Sequence, residues 1–299
     1  MSTAPDELLL RTAEDLFARH CTAELVNRAE AAGWSPELWA ELEASGLASV
    51  GAESTRMEAA AVVRIAARHA APVPLAETVM ASWLLLDDGL EVPPGPLTVV
   101  TEGRAPYGVV ACALVVHHEL VRPDDCRIEP LPANLAGEPW SLVDPSGPIP
   151  WLQPIGTLIR SVQMAGALES VLALTVEYVR ERRQFGSPLS RFQAVQQQLA
   201  LLAGEVSAAG AAVDAALEQP GLLSVAAAKI RCGQAAGRSA ELAHQLHGAI
   251  GYTDEHRLHQ FTRRLWSWRD EFGSETEWAA RLGALLVREG PDRLWEAIT

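Results

Sequence analysis

The chain has 299 residues, of which 48% are hydrophobic, and a formal net charge of −14. That apolar content argues against a disordered chain, and the length allows two or three domains with a sizeable core. The acidic balance argues against nucleic acid or an anionic membrane surface as partner, because either demands a basic face. Four cysteines (Cys21, Cys112, Cys126, Cys232) lie far apart without metal-ligand spacing, which suits reduced thiols in a cytoplasmic protein. The N-terminus lacks a basic region followed by an apolar run, and no uninterrupted apolar stretch approaches the roughly 18 residues of a membrane span.

Residues 5–88 read as helices. Leu8, Leu9, Ala13, Leu16 and Phe17 recur at helical spacing, and Gly33-Trp34 breaks the pattern. Ser35-Pro36-Glu37 then supplies an N-cap, a proline at the first helical position and a carboxylate in the first turn. Gly46 ends that helix. Another covers roughly 55–70, stops at Ala71-Pro72-Val73-Pro74, and helix resumes near Leu75–Leu86. Between about 95 and 150 the texture changes. The runs 97–100, 108–116, 126–131 and 140–143, bounded by Pro and Gly, predict four to six short strands. From about 154 onward long amphipathic helices return, predicted over 158–182, 192–217, 222–247, 257–269 and 275–287. Their short connections predict an up-and-down bundle.

Two phrases in this last region stand out. They are Arg182-Arg-Gln-Phe-Gly-Ser-Pro-Leu-Ser-Arg-Phe-Gln193 and Gln245-Leu-His-Gly-Ala-Ile-Gly-Tyr-Thr-Asp-Glu255. Each follows a long apolar helix and ends it with glycine, placing Arg, Gln and bare backbone amides near helix ends. Arg offers a fixed, charged fork to phosphate oxygens, and small residues let amides approach a phosphate closely. The bland alternative is that Arg182 and Arg183 are surface charges favouring a helix C-terminus. The pair of phrases in this order resembles the C-terminal helical domain of the acyl-CoA dehydrogenase family. The text around Trp34–Leu47 and Ala71–Thr78 is similar to that family's N-terminal helical domain, and the domain order matches as well.

The resemblance implies a mainly α fold with a small β domain. It divides into an N-terminal helical domain (1–90), a reduced β domain (91–150) and a C-terminal four-helix bundle (151–299). It also implies that Arg182, Phe185, Gln193, Gln245, Gly248 and Ala249 hold the adenosine diphosphate half of FAD at a subunit boundary. Ala249 stands where the family has a second Gly. Other parts of the family pattern are missing. The usual catalytic base, a Glu before a Gly about twenty residues beyond the Gly-Tyr turn, falls on Phe272, with Glu271 and Asp270 adjacent. The other base location, near the start of the first bundle helix, has no acid from Pro145 to Leu168. The flavin-side phrase has its nearest counterpart in Val100-Thr101-Glu102-Gly103-Arg104-Ala105-Pro106, without the Gly-Ser-Asp continuation.

These features imply a subunit of a flavin-dependent acyl-CoA dehydrogenase that lends its half-site to a longer paralogue. An acyl-CoA would be the substrate and a separate electron-transfer acceptor would complete the reaction. The family's mixed-subunit members act on bulky acyl-CoAs such as those from steroid breakdown. Two alternatives remain open at this point: a structural or regulatory paralogue without flavin, and a homo-oligomeric enzyme using Glu271 or Asp270 as base. His117-His118-Glu119 lacks a complementary ligand cluster, so no metal is expected. His247 reads as structural, and Trp266, Trp268 and Trp278 as packing residues.

Overall fold

The computed structural model describes residues 6–116, 119–144 and 152–289. The chain forms two compact units, Met1–Ile155 and Gly156–Thr299.

The first unit begins with six helices: α1 (Glu7–His20), α2 (Ala23–Ala32), α3 (Pro36–Ala44), the single turn α4 (Val50–Glu53), α5 (Arg56–Arg68) and α6 (Leu75–Asp87). Their starts are set by capping side chains. The Thr22 hydroxyl accepts from Leu25 N–H, Ser35 from Leu38 N–H, and Thr55 with Glu58 closes a reciprocal capping box. Helix α6 is apolar nearly all round and is buried from Leu75 to Leu85, so it forms the centre against which α4, α5 and β1 pack.

Six strands follow: β1 (Leu97–Val99), β2 (Arg104–Pro106), β3 (Ala113–Val116), β4 (Glu119–Val121), β5 (Arg127–Leu131) and β6 (Trp140–Asp144). They make two three-stranded sheets, ordered β1-β3-β4 and β2-β6-β5, and only the β1–β3 pair is parallel. Val100, Ala105, Leu114, Val116 and Val143 form their shared core. The Thr78 hydroxyl accepts from Leu97 N–H at 3.0 Å and fastens β1 to α6. Strands β1 and β2 are joined by a two-residue turn at Glu102-Gly103. Both residues are left-handed (φ 51° and 75°), and paired Thr101 and Arg104 backbone bonds of 2.8 and 2.9 Å close it.

The second unit is helical: α7 (Leu152–Glu181), α8 (Gln193–Glu218), α9 (Leu222–His247), α10 (Leu258–Asp270) and α11 (Glu275–Glu289). A small hairpin, β7 (Arg183–Gln184) with β8 (Ser187–Pro188), joins α7 to α8. The three-residue link at 219–221 folds α9 back on α8, and the Glu205–Arg231 ion pair sets their register. Read along that antiparallel register, Gln193 at the start of α8 lies level with the last turn of α9.

By length and mean hydropathy, a different measure from an uninterrupted apolar run, two helices are long and apolar enough to cross a membrane. They are Pro154–Glu181 (1.2) and Gln193–Glu218 (1.4). Packing within the unit buries half of the first apolar window but only 33% of the second. The remaining α8 face carries Ala200, Leu201, Gly204, Ala208 and Ala211 exposed, with no ionisable side chain among them.

Candidate functional site at the end of the helical bundle

The two phrases meet at one end of the bundle. Helix α7 ends at Glu181, and its last turn holds Tyr178, whose hydroxyl donates to the His247 carbonyl of α9 at 3.1 Å. This bond sets the C-terminal turn of α7, and therefore Arg182, beside the C-terminal turn of α9 with Gln245, Gly248 and Ala249. The hairpin then carries Phe185 at its tip in a left-handed conformation (φ 50°), and Leu189 N–H donates back to the Arg182 carbonyl at 2.8 Å. Gln193 follows as the first residue of α8. All six candidate residues are exposed, Phe185 by 91%.

The electrostatics suit an anion. Arg180, Arg182, Arg183 and Arg191 cluster here in a chain of net charge −14, and none forms a salt bridge among the described residues. The Phe185 ring meets Phe192 in a T-shaped contact with centroids 6.2 Å apart, and its 91% exposure leaves a broad aromatic surface uncovered. Gly248 has φ 66° and ψ −146°, a region essentially restricted to glycine, with nothing within 4 Å of where a Cβ would stand. A guanidinium fork, an open aromatic face and an accessible glycine turn make a donor set that fits the adenosine diphosphate end of FAD.

Behind this surface lies a group of histidines. The His247 ring stacks on Tyr178 with centroids 4.4 Å apart, and His256 meets it edge-on at 4.5 Å. One turn earlier His244 stacks on Tyr252 and bonds the Thr262 hydroxyl. His247 Nδ1 bonds the Ala243 carbonyl at 2.8 Å, which leaves Nε2 buried without a partner. Burial, reinforced by His256 and His244, pushes the His247 pKa down to about 4, and burial also lowers His244 and His256.

The sign of the resulting pH dependence follows. Above the ordinary imidazole pKa, about 6.5, folded and unfolded chains both hold His247 neutral, and stability is unaffected. As pH falls from there toward 4 the unfolded chain protonates first, so stability is lost. Of the charged groups around the cluster, Glu177 opposes this trend at His256, and His259 reinforces it at His244 and His256. Urea midpoints measured from pH 7.5 to 4.5 should fall, and His247→Phe should flatten that fall. An unchanged slope in the variant would remove His247 as the cause.

The expected base position belongs to a different neighbourhood in the same unit. Phe272 is left-handed (φ 56°), and its ring packs so closely on α7 that any side chain at Gly156 would collide with it. Glu271 is 90% buried and ion-paired with Arg160 at 2.7 Å, while Asp270 is exposed at the end of α10. The surrounding carbonyls are capped by side chains. Lys229, the only lysine in the chain, donates from Nζ to Trp268 O at 2.6 Å and Glu271 O at 2.8 Å. Thr157 and Trp278 both donate to Phe272 O, at 3.0 and 2.9 Å. Burial lowers the Lys229 pKa to about 8, with Glu271 opposing the shift. A cation at a helix C-terminus also complements the orphan carbonyls there. Glu271 is therefore held as a structural carboxylate, a geometry unlike that of a base waiting for a substrate proton.

In the first unit the stretch 100–106 is a tight hairpin, too short to form a flavin-side loop. No cluster of three or more metal-binding side chains occurs among the described residues; His117 and His118 lie outside them.

Residues 157–274 match the family model described as acyl-CoA dehydrogenase, C-terminal domain. The chain is 29% identical over 297 residues to acyl-CoA dehydrogenase IpdE2 of Mycobacterium tuberculosis, covering 88% of this chain and 92% of that one. The helical unit matches the acyl-CoA dehydrogenase family, and the likeness to acyl-CoA dehydrogenases runs over most of the chain. Its fold agrees. A crystal structure of the ChsE4-ChsE5 complex from Mycobacterium tuberculosis superposes with a TM-score of 0.84 at 23% identity, covering 97% of this chain and 100% of that one. A structure described as the Tcur3481-Tcur3483 steroid acyl-CoA dehydrogenase gives 0.83 at 22% identity, covering 94% and 97%.

Sequence reasoning did not single out Tyr178, Arg160 or Lys229. A signal existed for two of them. Tyr178 precedes Arg182 by one helical turn, and Lys229 is the chain's only lysine and follows three alanines in its helix. Arg160 gave none, since its partner is 111 residues away.

Proposed function

We propose that this chain is a subunit of a flavin-dependent acyl-CoA dehydrogenase, contributing the adenine-side half of an FAD site to a longer paralogue. The observation that carries this reading is the unequal state of the two halves. The adenine-side set is gathered at one bundle end, exposed and unpaired. The base position holds Phe272, its neighbour Glu271 is committed to Arg160, and the flavin-side stretch is a tight turn. The chemistry supplied by a bound flavin is acceptance of a hydride from the β-carbon of an acyl-CoA thioester. This chain's own part is to bind and orient. Arg182 would neutralise diphosphate charge, Phe185 would offer its open ring to the adenine, and Gln193 and Gln245 would supply amide donors. The carboxylate that takes the α-proton would belong to the partner, and a separate cytoplasmic acceptor would complete the reaction.

The uncharged face of α8 supports a second chain, since a largely exposed apolar helix face suits burial against another subunit. The ChsE4-ChsE5 complex offers a precedent for pairing unlike chains on this fold, and the steroid enzyme for a bulky acyl group.

Co-expression with a longer paralogue should yield a mixed assembly with one flavin per pair of unlike chains. Mass measurement with flavin quantitation decides this. One flavin per chain, or a homo-oligomer that ignores the paralogue, would sink the proposal. Within the assembly, Arg182→Ala should weaken FAD binding by about ten- to a hundredfold, the usual worth of a charge-assisted hydrogen bond. Because Arg182 is exposed, its thermal melt should stay unchanged.

A further inference from the structure

We infer that Tyr178 is a positioning residue of the dinucleotide half-site, one side chain that fixes the Gly248–Ala249 turn relative to Arg182. The inference rests on the reading proposed above and assigns a role to a residue that would not touch the cofactor.

Three contacts carry it. First, the peptide plane joining His247 to Gly248 is held at both ends. Its carbonyl accepts from the Tyr178 hydroxyl, and its N–H donates to the His244 carbonyl. Holding both ends sets the direction in which the chain leaves α9. Without the phenol, the His247 carbonyl would be one of the orphan acceptors of a helix C-terminus. Second, the Tyr178 ring lies against the His247 ring at 4.4 Å with 19° between planes, and His256 closes on both rings edge-on. His247 is tethered in turn to the Ala243 carbonyl, so the platform has little freedom to slide. Third, Tyr178 stands one helical turn before Arg182, and Arg182 N–H donates to the Tyr178 carbonyl at 2.8 Å. Residues four apart share a helix face. Any movement of Tyr178 relative to His247 therefore changes the spacing between the guanidinium and the glycine turn. A dinucleotide spanning both responds to that spacing, because misplacing a binding group by about 1 Å weakens charge-assisted hydrogen bonds steeply.

The test uses the full-length chain with whatever chain co-purifies, titrated with FAD and separately with ADP by fluorescence or calorimetry. Tyr178→Phe keeps the ring stack and removes only the hydroxyl. It should weaken both ligands by about two- to tenfold, the range of one net hydrogen bond. In an Arg182→Ala background the same change should have a much smaller effect, because the spacing then no longer matters. A purely structural role predicts instead a lower melting temperature with equal loss in both backgrounds, and that result would overturn the inference. If Arg182→Ala weakens FAD but Tyr178→Phe does not, positioning by Tyr178 is wrong and the half-site stands. If neither variant alters FAD or ADP binding, the half-site itself is wrong.

Discussion

Replacing Arg160 with methionine should destabilise the helical unit by about 3–5 kcal/mol, the cost typical of removing one partner from a buried ion pair. Arg160 is buried on α7, and its Nε donates to Glu271 at 2.7 Å while Nη1 bonds Gln163. Methionine would leave the Glu271 carboxylate desolvated beside the turn that ends α10. Lys229 would remain nearby, but its ammonium bonds carbonyl oxygens and not the carboxylate. A stability of about 5–15 kcal/mol is usual for a domain, so the loss should be plain in urea unfolding. The double variant Arg160→Met with Glu271→Met should recover most of it, since an apolar pair of similar volume needs no charge compensation. A single-variant loss below about 1 kcal/mol would mean that water reaches the pair.

Supplied with FAD and an artificial electron acceptor, the purified chain by itself should turn over acyl-CoA about two to four orders of magnitude more slowly than a complete enzyme of this family. That is the usual worth of a general base. Phe272 cannot accept a proton, and its ring fills the space over Gly156. Glu271 would have to leave Arg160 to act, exposing both charges to a poorly solvated site. In the other unit the Thr101–Arg104 turn closes after two residues, too tight for the family's flavin-side loop at that stretch. Turnover at the family's level, abolished by Glu271→Gln with the thermal melt preserved, would restore Glu271 as a base and overturn the proposed division of labour.

Much of the helical architecture was legible from local chemistry. Helix α9 begins at Leu222 and ends at His247, the two residues at which periodicity and the following glycine place its limits. The cap at Ser35 is equally local, while α5 ends at Arg68, a few residues ahead of Pro72. The break between α1 and α2 at Cys21-Thr22 has no Gly or Pro to mark it, since the apolar period runs on; the Thr22 cap makes the break. Strand β2 was missed for a different reason. Arg104–Pro106 has no apolar alternation to mark it, and it is a strand only because β6, far along the chain, pairs with it.

The candidate site divides in the same way. By itself the sequence carried the likeness to acyl-CoA dehydrogenases, the residue types of the candidate adenine-side set and the lack of an acid at either expected base position, since these reside in short contiguous phrases. Only the tertiary structure decided that Arg182 and Gly248 share one end of the bundle, through a Tyr178–His247 contact between residues 69 apart. It likewise decided that Glu271 is bound to Arg160 and that Lys229 caps α10. Ion pairing and burial depend on which helices pack together, and a carboxylate next to a glycine reads the same in sequence whether it faces solvent, a substrate or a guanidinium.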